Sequence, residues 1–233
     1  MYLPIYAHLI RTKNQRKYKL LQILFSLTFS LFIIASAAKF TLMFKPLYYF
    51  DIGYLNIVEQ SNFSKVEIVK NYNYIIDYLS SQEDQEFTLP SIPYSKYGQI
   101  HFKDVKRIFT SIDALLIVTG ILNILGLAIN LKHKNFNFLK QTSSILIMLP
   151  IILLTAFMIN FDTFFTIFHK IFFRNDYWLF DPELDPIISI LPQEFFYHSA
   201  LLIVILIILS IIFLKLLYKK LSKYRIISSN SYS

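Results

Sequence analysis

Four stretches of this chain contain no Asp, Glu, Lys or Arg: Leu20–Ala38, Ala114–Leu131, Gln141–Phe161 and Phe195–Leu214. Each approaches the roughly 20 residues a helix needs to cross a hydrocarbon core of about 30 Å. A chain of 233 residues that is 55% hydrophobic carries more apolar surface than a soluble domain of that length buries, so lipid must take the excess. The expected fold is an all-α membrane protein, a four-transmembrane-helix bundle.

The charges predict its orientation, because short cytoplasmic segments retain Lys and Arg. Arg11, Lys13, Arg16, Lys17 and Lys19 precede the first span, Lys132, Lys134 and Lys140 join the second to the third, and Lys215, Lys219, Lys220, Lys223 and Arg225 close the chain. No acid accompanies them. The pattern predicts a cytoplasmic N-terminus (1–19), spans at 20–39, 108–131, 141–161 and 195–217, a cytoplasmic loop (132–140) and a cytoplasmic tail (218–233). Two extracytoplasmic elements remain, a cap at 40–107 and an aromatic, acidic segment at 162–194. Ala35-Ser36-Ala37-Ala38 imitates a signal-peptide cleavage site, but the apolar run and basic leader are long for one, which favours a retained anchor. The net charge of +8 points to anionic lipid headgroups rather than nucleic acid, since the basic residues bracket hydrophobic spans. The absence of cysteine excludes structural disulfides and thiol nucleophiles. No feature specifies an oligomeric state.

In the cap, β-branched and aromatic residues in partial alternation predict short strands over Leu47–Val58 and Phe63–Val69. Val69, Tyr72, Ile76 and Leu79 form a stripe that predicts a helix from about Lys65 to Ser80. The expected cap is therefore small and mixed, helix with short strands. Ser81–Tyr97, with Pro90 and Pro93, reads as an exposed irregular loop.

Of five histidines, His8 and His133 fall in basic cytoplasmic segments and read as solvated, and His198 as an interfacial anchor. His101 and His169 lie at the outer boundary among polar groups that could tune their protonation. Asp104 stands one turn from His101 and could orient its imidazole; Tyr97, Lys106 and Arg107 flank it. The plainer alternative is that these charges mark where the helix leaves the bilayer. Asp113, deeper in the span and on the face of Lys106, should face the bundle interior or a polar cavity. Asp162, His169 and Asp176 are spaced by seven and share a face if the third helix continues outward; an incidental His on an interfacial helix is the alternative. Trp178, Asp181 and Asp185 belong to a turn-rich acidic loop beyond them. No GxSxG elbow, HExxH pair, P-loop or dinucleotide fingerprint is present.

The strings His101-Phe102-x-Asp104-Val105-Lys106 and Phe168-His169-x-x-Phe172-Phe173-x-Asn175-Asp176-x-Trp178-x-Phe180-Asp181-Pro182, with Asp185, Ile187-Ile188 and Leu191-Pro192 beyond, resemble the bacterial lipoprotein intramolecular transacylase (Lit) family. The resemblance implies a cofactor-free acyltransferase of the bacterial cell membrane, in Gram-positive organisms, acting on its extracytoplasmic face. Its substrates would be diacylglyceryl-modified lipoproteins, whose sn-2 acyl chain moves to the α-amino group of the N-terminal cysteine and leaves the lyso form. His101 and His169 correspond to the family's two central histidines, and the motif around Asp104 and Lys106 carries over. The expectation is that His101, oriented by Asp104, acts as base and proton shuttle while His169 stabilises the intermediate or protonates the leaving oxygen, with the roles open to exchange. Asp176, Asp181 and Asp185 are expected to contact the substrate or the cap. Two rival readings stand beside this one: a non-catalytic accessory or lipid-binding membrane protein, and a metal-dependent membrane hydrolase.

Overall fold

A computed structural model describes the backbone of residues 3–230 and the side chains of residues 19–223. His8, Arg11, Lys13, Arg16, Lys17 and Arg225 lie outside the described side chains. The helices are α1 (Leu3–Met43), α2 (Lys45–Tyr54), α3 (Ile57–Ser61), α4 (Lys65–Ser80), α5 (Lys96–Lys132), α6 (Asn137–Ile159), α7 (Phe161–Phe172), α8 (Ile187–Ile190) and α9 (Gln193–Asn230). Among the described residues, four segments are long and apolar enough to cross a membrane: Lys19–Met43, Lys96–Lys132, Asn137–Ile159 and Gln193–Lys223.

The chain divides into two units, the first comprising residues 1–34, 115–150 and 206–233. Its helices are joined by polar side chains that would otherwise be orphaned among apolar ones. Gln22 Nε2 donates to Asn130 Oδ1 at 2.7 Å, and Ser26 Oγ to Gln141 Oε1 at 2.9 Å. Phe25 packs on Phe138 with ring centroids 4.9 Å apart. A Cβ at Gly126 would overlap the Phe25 ring, so this crossing of α1 and α5 needs glycine.

The second unit comprises residues 35–114 and 151–205. Its core joins Tyr48 and Ile52 of α2, Ile68, Tyr72 and Ile76 of α4, Phe87 from the following loop, Phe102 of α5, and Ile187 and Ile190 of α8. Tyr48 stacks on Tyr72 at 3.7 Å and donates its hydroxyl to the Ile190 carbonyl at 2.6 Å. A buried aromatic hydroxyl needs such a partner.

No strand occurs among the described residues, which corrects the mixed cap expected from sequence. Leu47–Val58 is occupied by α2 and the start of α3, and Phe63–Val69 runs into α4. Pro46 fits the first turn of α2, where its missing N–H is harmless. Tyr48, Asp51 and Ile52 are buried while Phe50 between them is exposed, a helical pattern, since a strand's period of two would put 48, 50 and 52 on one face. Asn56 and Asn62 take left-handed φ values of 50° and 58° and interrupt the helices, a conformation asparagine tolerates. Ser64 caps α4 through the Glu67 N–H at 3.2 Å, and the helix spans Lys65–Ser80 as its apolar stripe predicted. The loop after it is irregular as expected but not simply exposed: Phe87, Leu89 and Ile92 are buried, and Asn71 holds it through Ser91.

The third span does not continue outward as one helix. α6 stops at Ile159, and Asn160, in an extended conformation, starts α7 by accepting the Thr163 N–H at 2.8 Å.

Candidate active site

The second unit brings His101 of α5 and His169 of α7 together. Their ring centroids are 6.1 Å apart, and both side chains are buried. Aromatic rings enclose them. Phe173 lies 4.8 Å and Phe180 5.3 Å from His101, while Phe165 lies 4.2 Å and Trp178 4.7 Å from His169. Burial holds the His169 pKa below the ordinary imidazole value, partly offset by its hydrogen bond to the Phe165 carbonyl.

That hydrogen bond, His169 Nδ1 to Phe165 O at 2.7 Å, decides the tautomer. A carbonyl oxygen only accepts, so Nδ1 carries the proton and Nε2 presents its lone pair. α7 supplies both partners from adjacent turns. His101 differs, because its buried Nδ1 has no hydrogen-bond partner among the described residues.

Asp104 does not hydrogen-bond to the His101 ring, contrary to expectation. It accepts from Arg107 Nη1 at 3.0 Å and from Asn175 Nδ2 at 3.1 Å. Its side chain leaves α5 toward the Asn175 segment, so it ties α5 to the strand of chain that delivers Trp178. Asp185 likewise serves position rather than exposure: it is buried, accepting from Ser95 N at 2.7 Å and Ser95 Oγ at 2.6 Å. Ser95 in turn accepts the Gly98 N–H at 3.0 Å and so starts α5 two turns before His101. A Cβ on Gly98 would overlap the Asp185 carboxylate.

The remaining predicted residues are distributed around this centre. Tyr97 is exposed and stacks on Tyr177 at 4.7 Å. Lys106 donates to the Glu83 carbonyl at 2.6 Å and lies over the Tyr78 ring, holding the loop after α4. Asp113, about three turns further along α5 than His101, pairs with Lys39 at 2.8 Å and accepts from Gln82 at 2.7 Å. Asp162 accepts from Gln193 at 2.6 Å. Asp176 falls beyond the end of α7, so it does not share that helix with Asp162 and His169. Asp181 caps a local turn through the Glu183 N–H at 3.0 Å.

Sequence reasoning missed Ser95 and the ring contact of Phe180 with His101. It also missed a second histidine contact, His198 Nδ1 to Asp51 Oδ1 at 2.9 Å, in which Asp51 is wholly buried. Burial raises the Asp51 pKa and His198 opposes that rise. A lone acid inside the apolar run Leu47–Ile52 was the available signal, obscured when the segment was read as a strand. The described residues gather no three His, Asp or Glu side chains into a metal-ligand cluster.

These features define the class, an all-helical multi-pass membrane protein with a buried histidine pair in an aromatic shell. The chain belongs to the lipoprotein intramolecular transacylase Lit family, whose sequence model matches residues 23–196. It is similar to the membrane-integral Lit from Bacillus cereus solved in meso, at 39% identity over 91% of this chain and 99% of that one, with a TM-score of 0.89. A histidine-to-arginine variant of that protein aligns over 95% and 99% at 37% identity and TM-score 0.87. A histidine-to-alanine variant aligns over 97% and 100% at 37% identity and TM-score 0.81. No curated protein matches the chain.

Proposed function

We propose that this member of a lipoprotein-modifying transacylase family moves the sn-2 acyl chain of a diacylglyceryl-cysteine lipoprotein onto the α-amino group of that cysteine, leaving the lyso form. The observation that carries the reading is the pair of buried imidazoles 6.1 Å apart, one with a committed tautomer. The amine nitrogen attacks the ester carbonyl carbon, the N–C bond forms, and the bond to the sn-2 oxygen breaks. The proton lost from nitrogen ends on that oxygen as a hydroxyl. One imidazole must take a proton and one must deliver it.

His169 suits the base role, because its Nδ1–H is held by Phe165 and its Nε2 is free to accept. His101 then faces the departing oxygen or the oxyanion. The α-amino group has an ordinary pKa of about 7.7–8.0, within reach of an imidazole base. Ester and amine belong to one substrate, so holding them together supplies high effective molarity with no covalent enzyme intermediate. Asp104 and Asp185 act as positioning residues in this scheme. The basic segments that flank the spans support cytoplasmic termini and an outer-face position for the histidines.

Mass spectrometry of lipoprotein N-terminal peptides, from cells with and without this chain, tests the proposal. An N-acylated cysteine on a monoacylglyceryl thioether should appear only with the chain present. Its absence would leave the accessory-protein reading, and activity abolished by metal removal would favour the hydrolase reading.

A further inference from the structure

The first unit contains a cavity of about 560 Å³ among α1, α6 and α9. That volume falls within the range of about 300–1,000 Å³ typical of small-molecule sites. Its lining changes polarity along the helices. Lys140 and Tyr218 stand at the basic ends of the spans, while Ile23 and Ile145 lie within the apolar stretches.

The hydrogen bonds already made within the cavity leave donors in excess. Tyr218 Oη reaches Asn137 Oδ1 at 3.5 Å, and Ser26 Oγ donates to Gln141 Oε1 at 2.9 Å, so both amide oxygens are engaged. The Lys140 ammonium and the Gln141 amide N–H lack partners among the described residues. No Asp or Glu occurs in the unit's three segments, so no side-chain carboxylate of the unit can neutralise Lys140. A ligand that fits offers acceptor oxygens and negative charge at one end and hydrocarbon at the other.

We propose that this cavity binds one anionic phospholipid of the adjoining leaflet, its phosphate on Lys140 and the Gln141 amide and its chains along Ile23 and Ile145. The site is separate from the histidine pair and independent of the proposed transacylation.

Native mass spectrometry of the full chain, delipidated in detergent and titrated with phosphatidylglycerol, tests it. One lipid should be retained per chain, and phosphatidylcholine should be retained more weakly. Lys140→Gln should weaken retention about fivefold, the attraction of one lysine for an anionic headgroup. Lys132→Gln, which alters a lysine outside the cavity, should have little effect. Ser144→Phe, filling the cavity from an exposed helix position, should weaken retention without removing charge. N-acylation by all three variants should match the unaltered chain, which separates failure of this site from failure of the proposed reaction. Equal losses in Lys140→Gln and Lys132→Gln would overturn the site in favour of diffuse attraction. Equal retention of phosphatidylcholine, or displacement by inorganic phosphate, would overturn the anionic lipid as its occupant.

Discussion

His169 Nδ1 and the Phe165 carbonyl, one helical turn apart on α7, are 2.7 Å from each other. The short contact makes Nδ1 the donor and leaves Nε2 as the basic nitrogen of the pair. His101 has no such partner, so the two imidazoles are chemically distinct although they share one aromatic shell.

His169→Asn keeps a donor near the Phe165 carbonyl and removes the base. Conversion to the N-acyl form should fall about 100-fold or more, the usual contribution of a positioned acid or base. His101→Gln should fall comparably. Membrane abundance should stay normal for both, read by immunoblot beside the mass-spectrometric assay. Near-normal conversion by either variant would refute its role.

The lowered His169 pKa sets a direction with pH. The neutral ring persists below the ordinary value of about 6.5, so the acid limb of the rate profile that belongs to this residue should lie below that pH. Stability follows the same sign. As pH falls past about 6.5 the unfolded chain takes up a proton that folded His169 still refuses, and stability declines until the folded value is reached. It should be insensitive to this residue above that window. Thermal unfolding in detergent at a series of pH values should show the slope in the unaltered chain and a smaller one in His169→Asn.

Asp185 and Ser95 should behave as a coupled pair. Ser95→Ala removes the N-cap of α5 and should cost about 0.5–2 kcal/mol. Asp185→Ala strands the Ser95 donors and should cost about 1–3 kcal/mol. The double variant should be less destabilised than the sum, because both changes undo the same contacts. Additive losses would show that the two residues act separately. Gly98→Ala should reproduce the defect by displacing the carboxylate, and all these variants should slow conversion by misplacing His101.

Lys39 and Asp113 are only about a fifth exposed or less, at 17% and 20% of their side-chain surface. Lys39→Met leaves the carboxylate with Gln82 alone and should cost about 1–3 kcal/mol. Replacing both, Lys39→Met with Asp113→Leu, should restore much of that loss, since no uncompensated charge remains. A double variant less stable than Lys39→Met would contradict the pairing. Detergent-solubilised melting temperatures decide between these outcomes.

The family motifs around His101 and His169 were legible in sequence because each histidine sits in a string of closely spaced aromatic and acidic residues. The partners were less legible. Asp104 stands at helical distance from His101, and that spacing suggested an orienting acid. The fold directs it to Asn175, 71 positions away, and no local rule foresees that choice. Asp51 and His198, 147 positions apart, escaped for the same reason.

By itself the sequence determined the four apolar spans, the segregation of charge around them and the helix over 65–80, because hydropathy and helical period are local properties. Tertiary structure alone decided that the cap is helical rather than mixed. Aromatic, β-branched residues satisfy either period until burial selects a face. It alone decided the break at Asn160, the burial of Asp185 under Ser95 and the 6.1 Å meeting of two histidines from separate helices. Those depend on which distant groups pack together, and packing is settled by the whole chain at once.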